Sequence, residues 1–480
     1  MCFILSVTGL YAQEQSGLRM SNYGGINAVG LNPTAAINSM LFLDVNLFSG
    51  YVSVENNFLF IHQNDYKLVN YASSNPVLPT YDVPGEGLDY TVSDKPVQGY
   101  ESTGISGPSF SLALGRHSAG LFSRANIVTS IDDLPRDIAI LMFEGLEYDS
   151  LYGIGQQHSD FGMASAGWWE LGANYGYVLK NEIWYNLSGG VNVRYLRGYA
   201  GAQITGRNVD YTLVGENHLD IRNLDADIAF AVPVDYQTNE FPGPGKTFRG
   251  SGAAMDLGIS FRQYRNPDVR TNPRRYCQYH YHNYLYKIGA SLIDIGGIGF
   301  RENFQVHRYD HVSADWMEVD SLDFRNLNDL SGTLSEVFYG DPQTSSDVNA
   351  RKFRIGLPAA FSLQADVNYY PNWYLGGAVI LPLSLGGPQL KRPGQAFLNL
   401  RYETPALEVS LPVSLYDFKK PRIGLYVRYY YFSVGTDKLG GFFNFSDFSG
   451  LDFYFSVKFH ILKGYCNRIQ HERDCDFLKF

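Results

Sequence analysis

The chain has 480 residues and a formal net charge of −10, and 15% of its residues are aromatic while only 18% are charged. An acidic chain without a basic surface does not fit nucleic-acid binding, so we expect no nucleic-acid partner. No stretch approaches the roughly 18 uncharged apolar residues that a membrane-spanning helix needs, which disfavours a helical membrane protein. Apolar residues spread in short pieces are typical of a transmembrane barrel, because each strand faces lipid only at every second residue.

The first residues predict export. Residues 1–12 carry no charge, contain the apolar run Phe3-Ile4-Leu5 and end in Leu10-Tyr11-Ala12. This pattern indicates a secretory signal peptide over residues 1–12, although it lacks the basic start that such signals usually have.

A glycine-rich segment follows the signal. Within residues 13–38, the run 21–36 carries no charge and includes three glycines. Such a segment bends easily and packs tightly. We expect residues 13–38 to fold back into the lumen of a barrel as a hatch, and a flexible leader is the alternative. The candidate hatch residues are Gly24, Gly25, Asn32 and Pro33.

Apolar and polar residues alternate with a period of two from residue 39 onwards, which predicts strands. The segments 361–369 and 451–461 are the clearest cases. Alternation alone does not separate a barrel in lipid from a soluble sheet sandwich, since both have one apolar and one polar face. In a barrel the polar face lines the lumen, where opposite charges are expected to pair. The lumen-facing candidates are Asp44, Asn46, Glu170, Asn174, Asn192, Arg194, Asp256, Arg262, Gln364, Asp366, Asn368, Arg428 and Lys458.

Aromatic residues cluster at strand ends. The runs Tyr369-Tyr370 and Tyr429-Tyr430-Tyr431, together with Trp373, lie where strands are expected to stop. Because Trp and Tyr are enriched at membrane–water interfaces, we interpret them as interfacial girdles rather than as a binding site.

The connections separate into short turns and long insertions, as in outer-membrane barrels. Short turns are predicted at 115–118, 180–182, 370–372 and 417–420, and long insertions near 65–107, 131–160, 203–250, 298–350, 384–396 and 433–450. Twelve strands close the barrel if 397–417 is one long strand with a bulge near Pro405. A further pair within 203–250 would make fourteen. We therefore predict an all-β transmembrane antiparallel β-barrel over residues 39–462, with about fourteen strands and twelve as the alternative.

Two insertions are predicted to contain short extracellular helices. Pro135–Leu146 has Asp133 available as an N-cap, a proline in the first turn and apolar residues on one side. Residues 320–338 are the second candidate. Helices over the barrel mouth and ordinary loop helices both fit these patterns.

The remaining chemical groups do not predict an enzyme. Cys277, His280 and His282 form one short cluster without a second ligand pair at zinc spacing, so we expect no metal site and no other cofactor. His307 and His311 are four residues apart but lack the HExxH pattern. No set of nucleophile and base stands out, and no catalytic residue is predicted.

Residues 463–480 are predicted to form a periplasmic tail beyond the last strand. Cys466 and Cys475 lie close together in this tail. An oxidising periplasm would let them form a disulfide, and two free thiols are the alternative.

The chain resembles a known class of outer-membrane barrels. The stretch Leu31-Asn32-Pro33-Thr34-Ala35 is similar to the Asn-Pro-Ala hatch segment of FadL-like long-chain fatty-acid transporters and of the PorV-type barrels of the type IX secretion system. Over nearly its full length, the chain is more similar to an uncharacterised family of outer-membrane barrels from Bacteroidota. The segments that carry this resemblance are Leu134–Ile138, Glu144–Leu146, Trp169–Gly172, Leu292–Gly296 and Gly450–Phe455. The resemblance implies about fourteen strands and an N-terminal hatch, but no particular substrate.

Two functions are open at this point, and both place the protein in the bacterial outer membrane in contact with its lipid. The first is a FadL-like barrel that binds or passes a small hydrophobic compound, with the hatch gating the lumen. The second is a PorV-like scaffold or docking subunit for secretion or surface assembly, whose insertions contact envelope proteins. An apolar lumen with a lateral wall opening favours transport, whereas a polar, plugged lumen with exposed apolar loops favours the scaffold.

Overall fold

The structure is a computed structural model, and it describes residues 14–62, 87–265, 284–317, 319, 326–441 and 447–462. Most of these residues form antiparallel strands of one sheet. The strands are β1 (Leu43–Asn56), β2 (Leu59–Ile61), β3 (Leu88–Tyr90), β4 (Val97–Ser106), β5 (Ser109–Leu114), β6 (His117–Leu134), β7 (Gly155–Asn181), β8 (Tyr185–Gly215), β9 (His218–Ala231), β10 (Gly250–Tyr264), β11 (Tyr284–Phe300), β12 (Gln305–Met317), β13 (Phe353–Gly356), β14 (Ala360–Tyr370), β15 (Trp373–Pro382), β16 (Gln395–Glu403), β17 (Leu407–Tyr416), β18 (Lys420–Ile423), β19 (Leu425–Tyr429), β20 (Phe432–Thr436) and β21 (Asp452–Ile461). The helices are α1 (Ser16–Met20), α2 (Ala35–Asn38), α3 (Arg136–Glu144) and α4 (Leu327–Tyr339), with 3-10 turns at Gly25–Ala28, Asp149–Leu151 and Leu439–Gly441.

The sheet closes into a barrel because its first strand pairs with its last. β1 pairs with β21 from Leu43 opposite Ile461 to Phe48 opposite Val457, and its other edge pairs with β4 and β5. The wall has fourteen strands, and three of them are divided by an irregularity: β4 with β5, β13 with β14, and β18 with β19. Closure leaves no unpaired edge, which a spanning sheet needs because lipid cannot hydrogen-bond. The prediction of an antiparallel barrel of fourteen strands is confirmed.

The predicted single strand at 397–417 is wrong. This segment is a hairpin of β16 and β17, and the chain reverses at residues 404–406. Pro405 suits this turn because proline has no N–H to donate to a ladder and has the φ of a turn residue. The apolar phase changes here because the chain reverses, not because a bulge intervenes. A second hairpin, β19 with β20, turns at Tyr430-Tyr431, and the two hairpins raise the wall from twelve strands to fourteen.

The added hairpins also change the side of one predicted turn. The turn 417–419, between β17 and β18, lies at the end of the barrel that carries the long connections. The turns between β5 and β6, β7 and β8, and β14 and β15 lie at the opposite, short-turn end, together with 404–406 and 430–431.

The insertion at 203–250 adds no strand to the wall but builds a sheet above it. β8 pairs with β10 up to Gly198 and with β9 from Gly201 onwards, and β9 in turn pairs with β12. We call β9, β12 and the adjoining outer parts of β7 and β8 the canopy. Its inner face is apolar and packs against α3 and α4, whereas its outer face carries cross-strand ion pairs such as Arg207 with Asp227.

The helices α3 and α4 lie in the predicted insertions, but α3 begins differently from the prediction. Pro135 precedes it, and no side chain caps its first turn. Asp133 has a left-handed backbone (φ 50°), and its carboxylate accepts a hydrogen bond from the Gln98 amide (3.2 Å) instead of capping the helix.

Among the described residues, no helix is long and apolar enough to cross a membrane.

The outer surface of the wall is apolar, and its inner surface is polar. Val193, Leu363 and Leu398 are 56%, 47% and 63% exposed, whereas the polar residues that alternate with them are buried. Aromatic side chains are exposed at the short-turn end, including Tyr369 and Tyr429. An apolar belt that ends in aromatic residues is the surface that a barrel presents to lipid.

Three predicted features lie outside the described residues. They are the signal peptide at 1–12, the cluster of Cys277, His280 and His282, and the tail 463–480 with Cys466 and Cys475. These features stay predictions.

We expect Leu363→Arg to destabilise the barrel by about 2–4 kcal/mol, because it places a charge on the lipid-facing side of β14. The matched control is Met317→Arg on the canopy, where the side chain is already 62% exposed and the change should be within about 0.5 kcal/mol. Urea unfolding in lipid bilayers measures both. An equal loss in the two variants would show that residue 363 does not face lipid.

Candidate functional site

The N-terminal segment fills the lumen. Residues 14–42, which we call the hatch, run inside the wall through α1, the first 3-10 turn and α2, and nearly all of them are buried. The side-chain carbonyl of Asn32 accepts hydrogen bonds from the N–H and the hydroxyl of Thr34 (2.9 and 2.8 Å), which fixes the turn before α2. Ile26 and Val29 pack against Phe122 of β6.

The Asn32-Pro33 segment is anchored to strands from different parts of the wall. The Asn32 amide donates to the side chain of Gln364 on β14 (2.9 Å). The Asn174 amide of β7 donates to the carbonyl of Pro33 (2.9 Å) and to Asn192 of β8 (2.7 Å). Five of the predicted hatch and lumen residues thus meet in one network.

The Gly24-Gly25 pair is held by a buried ion pair of the wall. Lys458 contacts Asp44 (3.1 Å) and also donates to the carbonyl of Gly24 (2.7 Å). Gly25 has a left-handed φ of 54°, and a Cβ there would lie only 2.1 Å from the Asp44 carboxylate. Only glycine fits at this position. Next to it, Asn27 donates to Asn46 (3.0 Å).

Buried charges on β14, β16, β17 and β19 form a ladder beside the start of the hatch. Arg401 pairs with Asp366 (2.8 Å) and with Glu403 (2.9 Å). Arg428 pairs with Glu408 (3.1 Å). Because an unpaired buried charge costs several kcal/mol, each member depends on its partner.

The hatch adds contacts to this ladder. The Ser21 hydroxyl donates to Glu408 (2.7 Å), and the Arg428 guanidinium lies 4.0 Å from the centre of the Tyr23 ring. Burial raises the pKa of the Tyr23 phenol, so the ring stays neutral. Wall and hatch therefore share one set of polar contacts.

A second ion cluster lies on β7, β8, β10 and β11. Arg194 of β8 contacts Glu170 (3.4 Å), Asp256 (2.6 Å) and Asp294 (2.9 Å). Arg124 approaches Glu170 from the other side (3.7 Å). Alternation did not predict that Asp294 faces inwards, because this residue falls at an irregularity of β11.

Arg262 and Asn368 are the two remaining predicted lumen residues. The Arg262 guanidinium reaches the carbonyl of Asn38 in the hatch (3.5 Å) and lies over the Tyr264 ring. Asn368 donates to the carbonyls of Tyr370 (3.1 Å) and Trp373 (3.2 Å) within the β14–β15 hairpin.

The connection 383–394, which was predicted as an outer loop, folds into the barrel mouth. The N–H of Lys391 donates to the hydroxyl of Ser130 on β6 (3.1 Å), 261 residues earlier in the chain. Arg392 pairs with Glu14 of the hatch (2.8 Å) and lies 3.5 Å from Asp294. We call residues 383–394 the inner loop. No periodicity indicates this path, since every partner is distant in sequence.

Arg392 remains charged in this buried position. Burial alone disfavours the charged guanidinium, but the carboxylates of Glu14 and Asp294 raise the pKa of Arg392 above its ordinary value. One guanidinium therefore connects the inner loop, the hatch and β11.

Two cavities meet at the inner loop. The outer cavity, of about 830 Å³, lies at the end with the long connections, and the inner cavity, of about 80 Å³, lies between the inner loop and the hatch. Tyr100, Arg392, Pro393 and Tyr416 line both and thus separate them. The outer volume is within the range of small-molecule sites, whereas the inner one has room only for a few waters.

The wall beside the inner cavity has an irregular ladder. β11 pairs with β14 up to Ile293 and with β13 from Gly297, and regular pairing stops between them. Asp294 has a left-handed φ of 60° there. Asp294 and Pro358 line the inner cavity, and Leu357, only 1% exposed, donates its N–H to the carbonyl of Gly296 within the interruption (3.1 Å).

The described histidines do not converge. His307 is buried beside Ser345 (3.1 Å), and His311 pairs with Asp225 (2.9 Å). Within the described ranges, no group of three or more His, Cys, Asp or Glu side chains is arranged to hold a metal ion.

The sequence matches one protein family over most of its length. The family is described as "Family of unknown function (DUF5723)", and the match covers residues 33–437. The chain belongs to this family. No curated protein sequence matches the chain.

Several solved structures of membrane channels and transporters align with most of this chain. The TodX deltaS2S3 mutant, a monoaromatic hydrocarbon channel, is 9% identical with a TM-score of 0.42, over 92% of this chain and 95% of that chain. The toluene transporter TodX of Pseudomonas putida is 11% identical with a TM-score of 0.33, over 94% and 99%. A FadL homologue of Pseudomonas aeruginosa is 11% identical with a TM-score of 0.28, over 89% and 92%. The identities are low and the TM-scores are below 0.5, so these similarities assign no function to this chain.

We expect Gly190→Val to displace the hatch, because a Cβ at Gly190 would lie 2.7 Å from the backbone of Pro33. Overpacking of this kind costs about 1–3 kcal/mol of unfolding free energy. Amide hydrogen exchange in residues 30–36 should also become faster. The adjacent Gly189 is the control, since its Cβ would be 3.4 Å from Leu179 and nothing closer. Equal effects of Gly189→Val and Gly190→Val would contradict the placement of the hatch.

Proposed function

We propose that this protein is an outer-membrane barrel that binds a small hydrophobic compound at its outer end and passes it through the membrane. The observation that carries the proposal is the outer cavity of about 830 Å³, which ends on the inner loop. The apolar belt and the exposed aromatic residues at the short-turn end support the membrane location.

The lining of the outer cavity supports an apolar ligand. Tyr100, Ile131 and Leu390 contribute aromatic and aliphatic surface. Charged residues also line it, but several are already paired, as Lys419 is with Asp417 (2.6 Å). A charge that is already paired gains little free energy from contact with a ligand. Apolar surface gains free energy when a ligand removes it from water.

The irregular wall at β11 supports a sideways exit. The hatch occupies the lumen below the inner cavity, so an axial route requires the hatch to leave. The interruption between Ile293 and Gly297 adjoins the inner cavity through Asp294 and faces the apolar belt on its other side. A hydrophobic compound that enters there reaches lipid without crossing water. Leu357 closes this route and has to move for passage.

The inner loop acts as the upper gate in this proposal. It separates the outer cavity from the inner one, and Arg392 ties it to Glu14 and Asp294 (2.8 and 3.5 Å). Movement of the inner loop therefore alters both the hatch and the irregular wall. Passage requires this guanidinium to change partners, because an unpaired buried charge is costly.

A scaffold role is not favoured. The plugged, polar lumen fits a scaffold, but a scaffold would also need large apolar loop surfaces for its partners. In the described part of the canopy, the outer face carries ion pairs such as His218 with Asp315 (2.5 Å). Exposed apolar residues at that end, among them Ile154, Phe241 and Val348, lie singly on separate connections.

The test is the composition of the protein purified from its native membrane. We expect mass spectrometry of the extracted protein to find a small hydrophobic compound in wild type. Ser384→Trp, which fills part of the outer cavity, should reduce its amount about tenfold, the effect of about 1.4 kcal/mol in binding. Ser313→Trp, exposed on the canopy, is the size-matched control and should retain the compound. Equal retention in both variants would place the compound elsewhere, and a stoichiometric protein partner without a compound would favour the scaffold.

A further inference from the structure

A row of outward-facing residues crosses five wall strands near the end with the long connections. Trp169 of β7 lies opposite Arg197 of β8, which lies opposite Ser251 of β10. Ser251 lies opposite Gly299 of β11, which lies opposite Arg354 of β13. Two cations and a tryptophan thus lie in one cross-strand row, separated by small residues.

The row faces outwards. Leu196, Ile298 and Ile355 each adjoin one of its members in sequence, and they are at most 1% exposed. Because successive side chains of a strand point to opposite faces, the members of the row point away from the lumen. Ser251 and Arg354 are exposed accordingly.

Glycines in β11 let cationic side chains lie flat on the wall. A Cβ at Gly297 would be 3.0 Å from Nε of Arg354, and one at Gly299 would be 3.8 Å from Cδ of Lys352. Lys352 and Arg354 therefore lie over these glycines, in the same region as Arg197. We call Arg197, Lys352 and Arg354 the basic patch.

The basic patch has no acidic counterpart in the described part of the chain. None of its three cations forms an ion pair with a described residue, and Arg197 contacts only the Tyr195 hydroxyl (3.4 Å) and the face of the Phe248 ring (4.9 Å). The nearby Glu302 pairs with Lys246 (2.6 Å). In a chain with a net charge of −10, unpaired cations in one place mark a site that attracts an anion.

The position of the patch relative to the apolar belt identifies the kind of anion. The outward side chains of β7 run from Trp169 through Leu171 and Tyr175 to Leu179, which adjoins a short turn. The stretch of β7 from Trp169 to Leu179 matches one tilted membrane crossing of about 9–11 residues. Trp169 therefore lies at the interface on the long-connection side, where tryptophan is enriched. Trp169 is paired directly with Arg197, so the basic patch begins at this interface.

Because barrel strands are tilted by roughly 35–45°, a row of paired residues changes height from strand to strand. The crossing that starts at Tyr369 on β14 ends near Phe361, so Lys352 and Arg354 lie beyond it on the long-connection side, at the height of lipid head groups.

We propose that the basic patch binds the phosphate group of an anionic lipid in the leaflet on the long-connection side. Arginine suits this role because its planar guanidinium can hold two phosphate oxygens at once. The flat surface of Ser251, Gly297 and Gly299 leaves room for the head group between the cations. The bound lipid would cover the wall just above the irregular part of β11.

The test uses the full chain, purified in neutral detergent, and native mass spectrometry with added lipid A or phosphatidylcholine. We expect wild type to retain lipid A and not phosphatidylcholine. The triple variant R197Q/K352Q/R354Q should bind lipid A about a hundredfold more weakly, roughly fivefold for each cation removed. R197K/R354K, which keeps the charges, should retain much of the binding.

The charge-matched control is R116Q/K180Q/R308Q, which removes three exposed cations at other places. It should bind lipid A as wild type does. Equal loss in both triple variants would overturn the proposal, because it would show attraction by net charge alone. Competition by millimolar inorganic phosphate without any preference for lipid A would identify a free anion as the ligand and would also overturn it.

This inference rests on the membrane placement in the proposed function, but not on passage of a compound. Flotation of wild type with lipid vesicles tests the placement separately. If the wild-type chain does not float with the vesicles, both proposals are wrong. A chain that floats but shows no preference for phosphorylated lipid removes only the lipid site.

Discussion

The architecture depends on the pairing of charges buried inside the barrel. Arg194, Arg401 and Arg428 each contact at least one carboxylate within 3.4 Å, and none of the three is exposed to bulk water. Breaking such a pair leaves a buried charge, which costs more than the pair itself contributes. The wall therefore tolerates a polar lumen only while its charges remain matched, and this constraint decides what else can occupy the lumen.

The hatch fits this polar lumen because its backbone groups form hydrogen bonds with side chains of the wall. It has little regular secondary structure, so many of its N–H and carbonyl groups need partners from elsewhere. The wall provides them: Asn192 donates to the carbonyl of Val29 (3.0 Å), and Ser291 donates to the carbonyl of Leu31 (2.6 Å). Amide and hydroxyl side chains among the inward positions thus serve the hatch, while the ion pairs stabilise the wall. A plug of apolar residues would leave these groups unsatisfied.

The strands of the barrel differ in length around its circumference, and the outer cavity and the basic patch lie at different places on the wall. β7 and β8 extend far beyond the membrane crossing and carry the canopy, whereas β15 to β21 have ten residues or fewer. The outer cavity opens among the shorter strands and the inner loop. The basic patch lies on the outside of β8, β10, β11 and β13, across the wall from the Arg194 cluster. The proposed ligand entry and the proposed lipid site therefore use different surfaces of the same wall.

The sequence alone determined the class of fold and the facing of most wall residues. All thirteen predicted lumen-facing residues, from Asp44 to Lys458, are buried, because alternation is a local property of a pleated strand. The tertiary structure decided what depends on partners far along the chain. Whether Pro405 marks a bulge or a turn cannot be read locally, since both change the apolar phase in the same way. The inward path of Arg392 follows from its contacts with Glu14 and Asp294, and the alignment of Arg197 with Arg354 follows from the pairing of β8, β10, β11 and β13. These contacts join segments that lie up to hundreds of residues apart, and no local pattern contains that information.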